Sequence, residues 1–133
     1  MALVRLSEDE ILLLGLESVG FDERRQQNTC DATNMTRFYA SFGAGPKSCI
    51  QILESFQKTE VAAASIKNPN ITYFFMTLNW MKTYKTETEM AGLFKTDEKR
   101  ARERIWKYVK AIQALKSQKV SFTTPFAVVR NLF

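Results

Sequence analysis

Eight side chains with recognition chemistry fall within one short stretch of the sequence: Lys95, Thr96, Lys99, Arg100, Arg102, Arg104, Lys107 and Lys110. Such a set suits grasping a polyanion better than making or breaking bonds. An ammonium neutralises a phosphate, and a guanidinium can give two parallel hydrogen bonds to the O6 and N7 edge of guanine. The charge is concentrated accordingly. Residues 79–119 hold eleven Lys/Arg and five Asp/Glu, a net +6, whereas the remainder of the chain sums to −1. A basic segment on a near-neutral body is the electrostatic footprint of a nucleic-acid binder. The bland alternative is a solvated helix face, laced by i, i+4 pairs at Glu98–Arg102, Lys99–Glu103 and Glu103–Lys107. That pattern leaves Arg100, Arg104 and Lys110 without an evident partner.

The chemistry missing from the sequence narrows the reading further. Its 133 residues include no histidine, so the commonest general base and the Ser–His and Cys–His pairs are absent. Two cysteines, Cys30 and Cys49, cannot close a four-ligand zinc site, and they read as free thiols rather than a secreted-domain staple. No glycine-rich phosphate loop is present. A non-enzymatic protein without metal or cofactor is expected. No apolar run exceeds the four residues of 11–14, far short of the ~20 needed to span a bilayer. The acidic N-terminal segment does not read as a signal peptide, so an intracellular protein with no membrane partner is expected.

The elements that must position the basic residues follow from capping and periodicity. Ser7-x-x-Glu10 is a capping box for a helix over 8–18, stopped by Gly20, and residues 21–29 read as a polar linker. Met35, Phe38, Tyr39 and Phe42 mark the stripe of a helix over 33–42. Pro46 opens a third over 46–58, with Cys49, Ile50, Leu53 and Phe56 buried. Asn68-Pro69 opens a fourth, whose stripe runs through Ile71, Phe74, Phe75, Leu78 and Met81 and is extended by Tyr84. Thr86-x-x-Glu89 is a second capping box, and Asp97 is an N-cap for a long last helix to about residue 116. The expected fold is all-α, a compact bundle of five to six helices. Its parts are an N-terminal helix and linker (1–30), a helical DNA-binding domain (31–120) and a tail (121–133).

Within that domain, residues 86–115 have the pattern of a helix-turn-helix. Met90, Ala91 and Phe94 face Ala101 and Ile105 across a short turn, and the two alanines allow close approach. Lys95 stands where such turns usually carry glycine, so it must take a left-handed backbone or the turn must be of another kind. Ala101, Ile105, Tyr108, Val109 and Ile112 form the inward stripe of the last helix, leaving its basic residues outward, as in a recognition helix. Trp106 is expected to fill a groove between helices.

The stretch NPNITYFFMTLNWMKTYKTETEMAGLF (68–94), followed by ERIWKYVKAIQALKSQKV (103–120) and preceded by ATNMTRFYASFGAGPKSC (32–49), resembles the N-terminal region of eukaryotic Harbinger-like transposases with a DDE nuclease domain. The resemblance covers residues 31–120. It implies a DNA-binding region that recognises transposon ends. Only thirteen residues follow Val120 and none is acidic, so the family's three metal-binding carboxylates have no counterpart in this sequence. A truncated or domesticated remnant, or a separately encoded DNA-binding part, is implied. Double-stranded DNA is the expected partner and the nucleus the location that follows from it. The alternatives are a helical protein-interaction module, docking a helical partner or a second copy, and single-stranded binding. The last ranks lowest because the aromatic residues fall on expected buried stripes.

Overall fold

The computed structural model describes residues 6–27, 30–60 and 62–118, which include seven α-helices and no strand. Helix α1 (Glu8–Ser18) starts as its capping box dictates: Ser7 Oγ accepts from the Glu10 amide at 3.2 Å, and Glu10 Oε1 accepts from the Ser7 amide at 2.9 Å. It ends on Gly20 at φ +104°, where the amides of Gly20 and Phe21 bond back to the carbonyls of Glu17 and Leu16. The segment read as a linker contains a helix, α2 (Glu23–Gln27). Its five residues are all polar or charged, too few and too uniform to show an apolar period. Asp22 Oδ1 accepts from the Arg25 amide at 2.9 Å and so caps it, while the Gln26 side chain donates to the Phe21 carbonyl at 2.7 Å.

Helices α3 (Asp31–Phe42) and α4 (Pro46–Lys58) are joined by a turn whose Gly43 takes φ +72°. The buried face of α3 is Asn34, Phe38 and Phe42, so the expected stripe is rotated and Met35 and Tyr39 are exposed. The rotation follows from α2, where the Gln26 carbonyl receives the Asn34 side-chain N–H at 3.1 Å. Phe38 packs beneath α1 at Gly15. Ile11 and Leu16 of α1 lie in the same buried cluster as Phe38, Phe75 and Tyr108, so the N-terminal helix shares the core of the residues that follow. After α4, Ala62–Ala64 form a single 3-10 turn.

Helix α5 (Ile71–Thr83) is the centre of the bundle. It begins two residues later than the Asn68-Pro69 pair suggests, because Asn70 is the cap: its Oδ1 accepts from the Tyr73 amide at 3.1 Å. Every residue from 74 to 79 is buried, as is Met81. The expected one-sided stripe is therefore a helix enclosed on several sides, with α3 and α7 (Glu98–Gln118) as its main neighbours. The buried polar groups of α5 are satisfied. Asn79 Nδ2 donates to the Ser41 carbonyl at 2.9 Å and Thr77 Oγ1 to the Tyr73 carbonyl at 2.8 Å. Phe38, Phe42, Phe75, Phe74, Phe56 and Tyr108 form a continuous chain of ring contacts, with centroids 4.8 to 6.1 Å apart.

Tyr108 ties α7 to the start of α5, its hydroxyl accepting the Asn70 amide at 2.8 Å. Burial raises this phenol above its ordinary value. Both cysteines are free thiols: Cys30 is exposed, and burial pushes the Cys49 thiol well above its usual range. No described helix is long and apolar enough to cross a membrane. The expected tail, 121–133, lies outside the described residues.

A Cβ at Gly15 would overlap the Phe38 ring and crowd Phe42. Gly15→Ala should therefore destabilise the protein by ~1–3 kcal/mol, although glycine to alanine within a helix ordinarily stabilises by up to ~1 kcal/mol. The denaturant midpoint measures the sign, and a rise would show that α1 is not held against Phe38.

Candidate nucleic-acid interface

Helix α6 (Glu87–Leu93) opens on the second capping box, with Thr86 Oγ1 accepting from the Glu89 amide at 3.1 Å and Glu89 Oε1 from the Thr86 amide at 2.9 Å. These bonds hold the Glu89 carboxyl below its ordinary value. Residues 94–97 turn the chain into α7. Lys95 adopts φ +56°, the left-handed option left open by the sequence, while the Phe94 amide returns to the Met90 carbonyl at 3.0 Å and the Thr96 amide to the Ala91 carbonyl at 2.9 Å. This is the helix-ending geometry that glycine adopts without penalty. Asp97 caps α7, its Oδ1 accepting the Arg100 amide at 2.7 Å. Met90, Ala91, Ala101 and Ile105 are buried where α6 and α7 pack.

This packing sorts the eight candidate residues into groups. All three arginines have partners. Arg100 Nε lies 3.5 Å from Asp97 Oδ2, and Arg102 Nη1 lies 2.7 Å from Glu87 Oε1 across the two helices. The Arg104 guanidinium sits 4.1 Å from the centroid of Tyr73 on α5. Thr96 is half-buried in the turn. Lys95, Lys99, Lys107 and Lys110 are exposed and have no salt-bridge or hydrogen-bond partner among the described residues. The expectation that Arg100 and Arg104 stand unpaired is thus overturned. The i, i+4 ion pairs drawn from spacing do not form either: Glu98 instead accepts from Thr88 Oγ1 at 2.7 Å, and Glu87 takes Arg102. Spacing along one helix could not reveal acids supplied by another.

The outward face of α7 carries Lys99, Glu103, Trp106, Lys107 and Lys110, opposite the buried Ala101, Ile105, Tyr108 and Ile112. Arg102, Glu103, Trp106, Lys107 and Lys110 border a shallow, open concavity. Trp106 does not fill a groove. It leans on Trp80 of α5, ring centroids 5.9 Å apart, and remains 47% exposed. Trp80 in turn meets Tyr84, 6.3 Å away. Tyr84 ends α5 rather than extending it: at φ +55° it is the left-handed C-cap, and it is 69% exposed. Trp106 and Tyr84, both expected to pack, thus form a row with Trp80 at the surface. Among the described residues, no group of three or more His, Cys, Asp and Glu side chains is arranged to hold a metal ion.

No protein family, curated protein or solved structure matches the chain.

Lys95 bears left-handed strain for the sake of an exposed side chain. Lys95→Gly should raise stability by ~1 kcal/mol, whereas Lys95→Ala, strained in the same way, should leave it nearly unchanged. Urea unfolding of both variants measures the difference, and equal midpoints would remove the strain argument.

Proposed function

We propose that this chain is a non-enzymatic, duplex-DNA-binding domain in which α6, the turn and α7 act as a helix-turn-helix that grips phosphates through the outer face of α7. The observation that carries the reading is the set of exposed lysines, Lys95, Lys99, Lys107 and Lys110, none of them paired among the described residues, at the turn and along that face. Phosphate contacts of this kind supply most of the affinity for DNA and none of the sequence information. Selectivity falls to Arg100 and Arg102 near the start of α7. Their carboxylate partners are exposed, and such pairs are worth only ~0–1 kcal/mol, so a base edge or phosphate can replace them. The resemblance to the N-terminal region of Harbinger-like transposases adds transposon-derived sequence as the natural target and the nucleus as the place of action.

Exposed Leu13 and Leu14 on α1, with Met35 and Tyr39 on α3, favour a second reading, in which a helical protein or a second copy docks there. The two readings meet at the turn, where Leu14 and Lys95 border one concavity, and part along α7, which carries Lys99, Lys107 and Lys110. Light scattering that shows a discrete oligomer, together with no retention of duplex on a gel, would select the second.

The decisive variant replaces free lysines, not the paired arginines. Arg102→Glu would set two acids against each other at Glu87 and report on the fold as much as on binding. Lys99→Gln with Lys107→Gln and Lys110→Gln leaves the helix packing intact. It should reduce the slope of log K against log salt by about 3, near 0.9 for each phosphate that is no longer neutralised. A binding selection from random duplexes at two salt concentrations, followed by titration of the recovered site, supplies the measurement. No recovered site, or an unchanged slope, would overturn the proposal.

A further inference from the structure

We propose that the row Tyr84–Trp80–Trp106 stacks unpaired DNA bases, with the phosphates of that single-stranded segment held by Lys107, Lys110 and Arg102. The inference rests on the reading of α7 as a phosphate-binding face and adds a second form of ligand to it.

Three observations carry it. First, the row is continuous with the basic face, because Trp106 shares its concavity with Arg102, Lys107 and Lys110. Secondly, its rings are tilted by 56° and 69° rather than stacked in parallel, so they do not mask one another as a closed stack would. Thirdly, Tyr84 presents its side chain to solvent from a left-handed backbone. A left-handed φ of +55° is one that glycine or asparagine adopts more readily, and its ring is 69% exposed. A strained backbone that holds an exposed aromatic residue beside Trp80, itself beside Trp106, is well suited to a surface that a ligand completes. Aromatic faces beside free cations are the chemistry of single-strand recognition: every base has a face to stack, and every nucleotide brings a phosphate. A flat apolar protein partner would satisfy the rings but not the unpaired ammonium groups of Lys107 and Lys110 next to them.

The chain's two tryptophans both lie in the row, so its tryptophan emission reports on this surface alone. Titration of the full chain with short oligodeoxythymidylate should quench that emission. Trp106→Ala should weaken single-strand binding at least about fivefold, the lower end of the ~1–3 kcal/mol measured per stacked base, leave duplex affinity unchanged, and be rescued by Trp106→Phe. Tyr84→Gly, which relieves strain and so keeps the fold, should also weaken the single strand selectively. Single-strand binding without quenching, or variants that lose both ligands equally or neither, would overturn the inference while leaving the duplex proposal standing. Loss of single-strand binding in Trp106→Ala with no duplex binding by the unaltered chain would support the row and overturn the duplex reading instead.

Discussion

The enclosure of α5 is the constraint on which the rest of the structure depends. A helix with six consecutive buried residues cannot stand at a surface, so its neighbours must cover it, and α7 is the longest of them. The covering is specific. Tyr108 brings a ring to Phe56 and Tyr73 and a hydroxyl to the Asn70 amide, which fixes both the height and the rotation of α7 on α5. Once that rotation is set, the faces of α7 have no freedom. Ala101, Ile105 and Ile112 point inward, and Lys99, Trp106 and Lys110 must point out. The basic face is thus a consequence of core packing, with helical geometry carrying the constraint from one side of α7 to the other.

The rotation also decides the electrostatics. Arg102 is turned toward α6, where Glu87 waits in the first turn. Arg104 is turned toward α5, over the Tyr73 ring. Arg100 meets the cap residue of its own helix. Lys95, Lys99, Lys107 and Lys110 take none of these partners. The result is a division of labour among cations. The compact ammonium groups on flexible stems are left in solvent, and the planar guanidinium groups, with their geometric demands, are held by partners within the protein.

Helix α6 is short, and backbone strain is stored at each end of it. The described non-glycine residues with positive φ are Tyr84, just before its cap, and Lys95, just after its last turn. Each sits at an edge of the candidate interface and each exposes its side chain. The capping box of Thr86 and Glu89 and the Ala91–Thr96 return bond hold α6 between these two points. Both strained positions thus display an exposed side chain at a margin of one surface.

Much of the architecture was legible in the residues themselves because it is local. Ser7 with Glu10, Thr86 with Glu89, Asp97, and the glycines at 20 and 43 act over three or four positions, and a reader of the sequence sees both partners at once. The all-helical class and the inward stripe of α7 follow from the same short-range periodicity. The five-residue α2 was invisible because its stabilisation comes from side chains returning to neighbouring carbonyls, not from an apolar period. The rotation of α3, the encirclement of α5 and the surface row of Trp106, Trp80 and Tyr84 depend on which helices lie beside which. The identity of the free cations depended on it as well. Spacing within α7 offered acids on that helix, but the acid that claims Arg102 stands fifteen residues away on another. Helical period and capping are written along the chain; pairing between helices is settled only when packing brings distant residues within a hydrogen bond of each other.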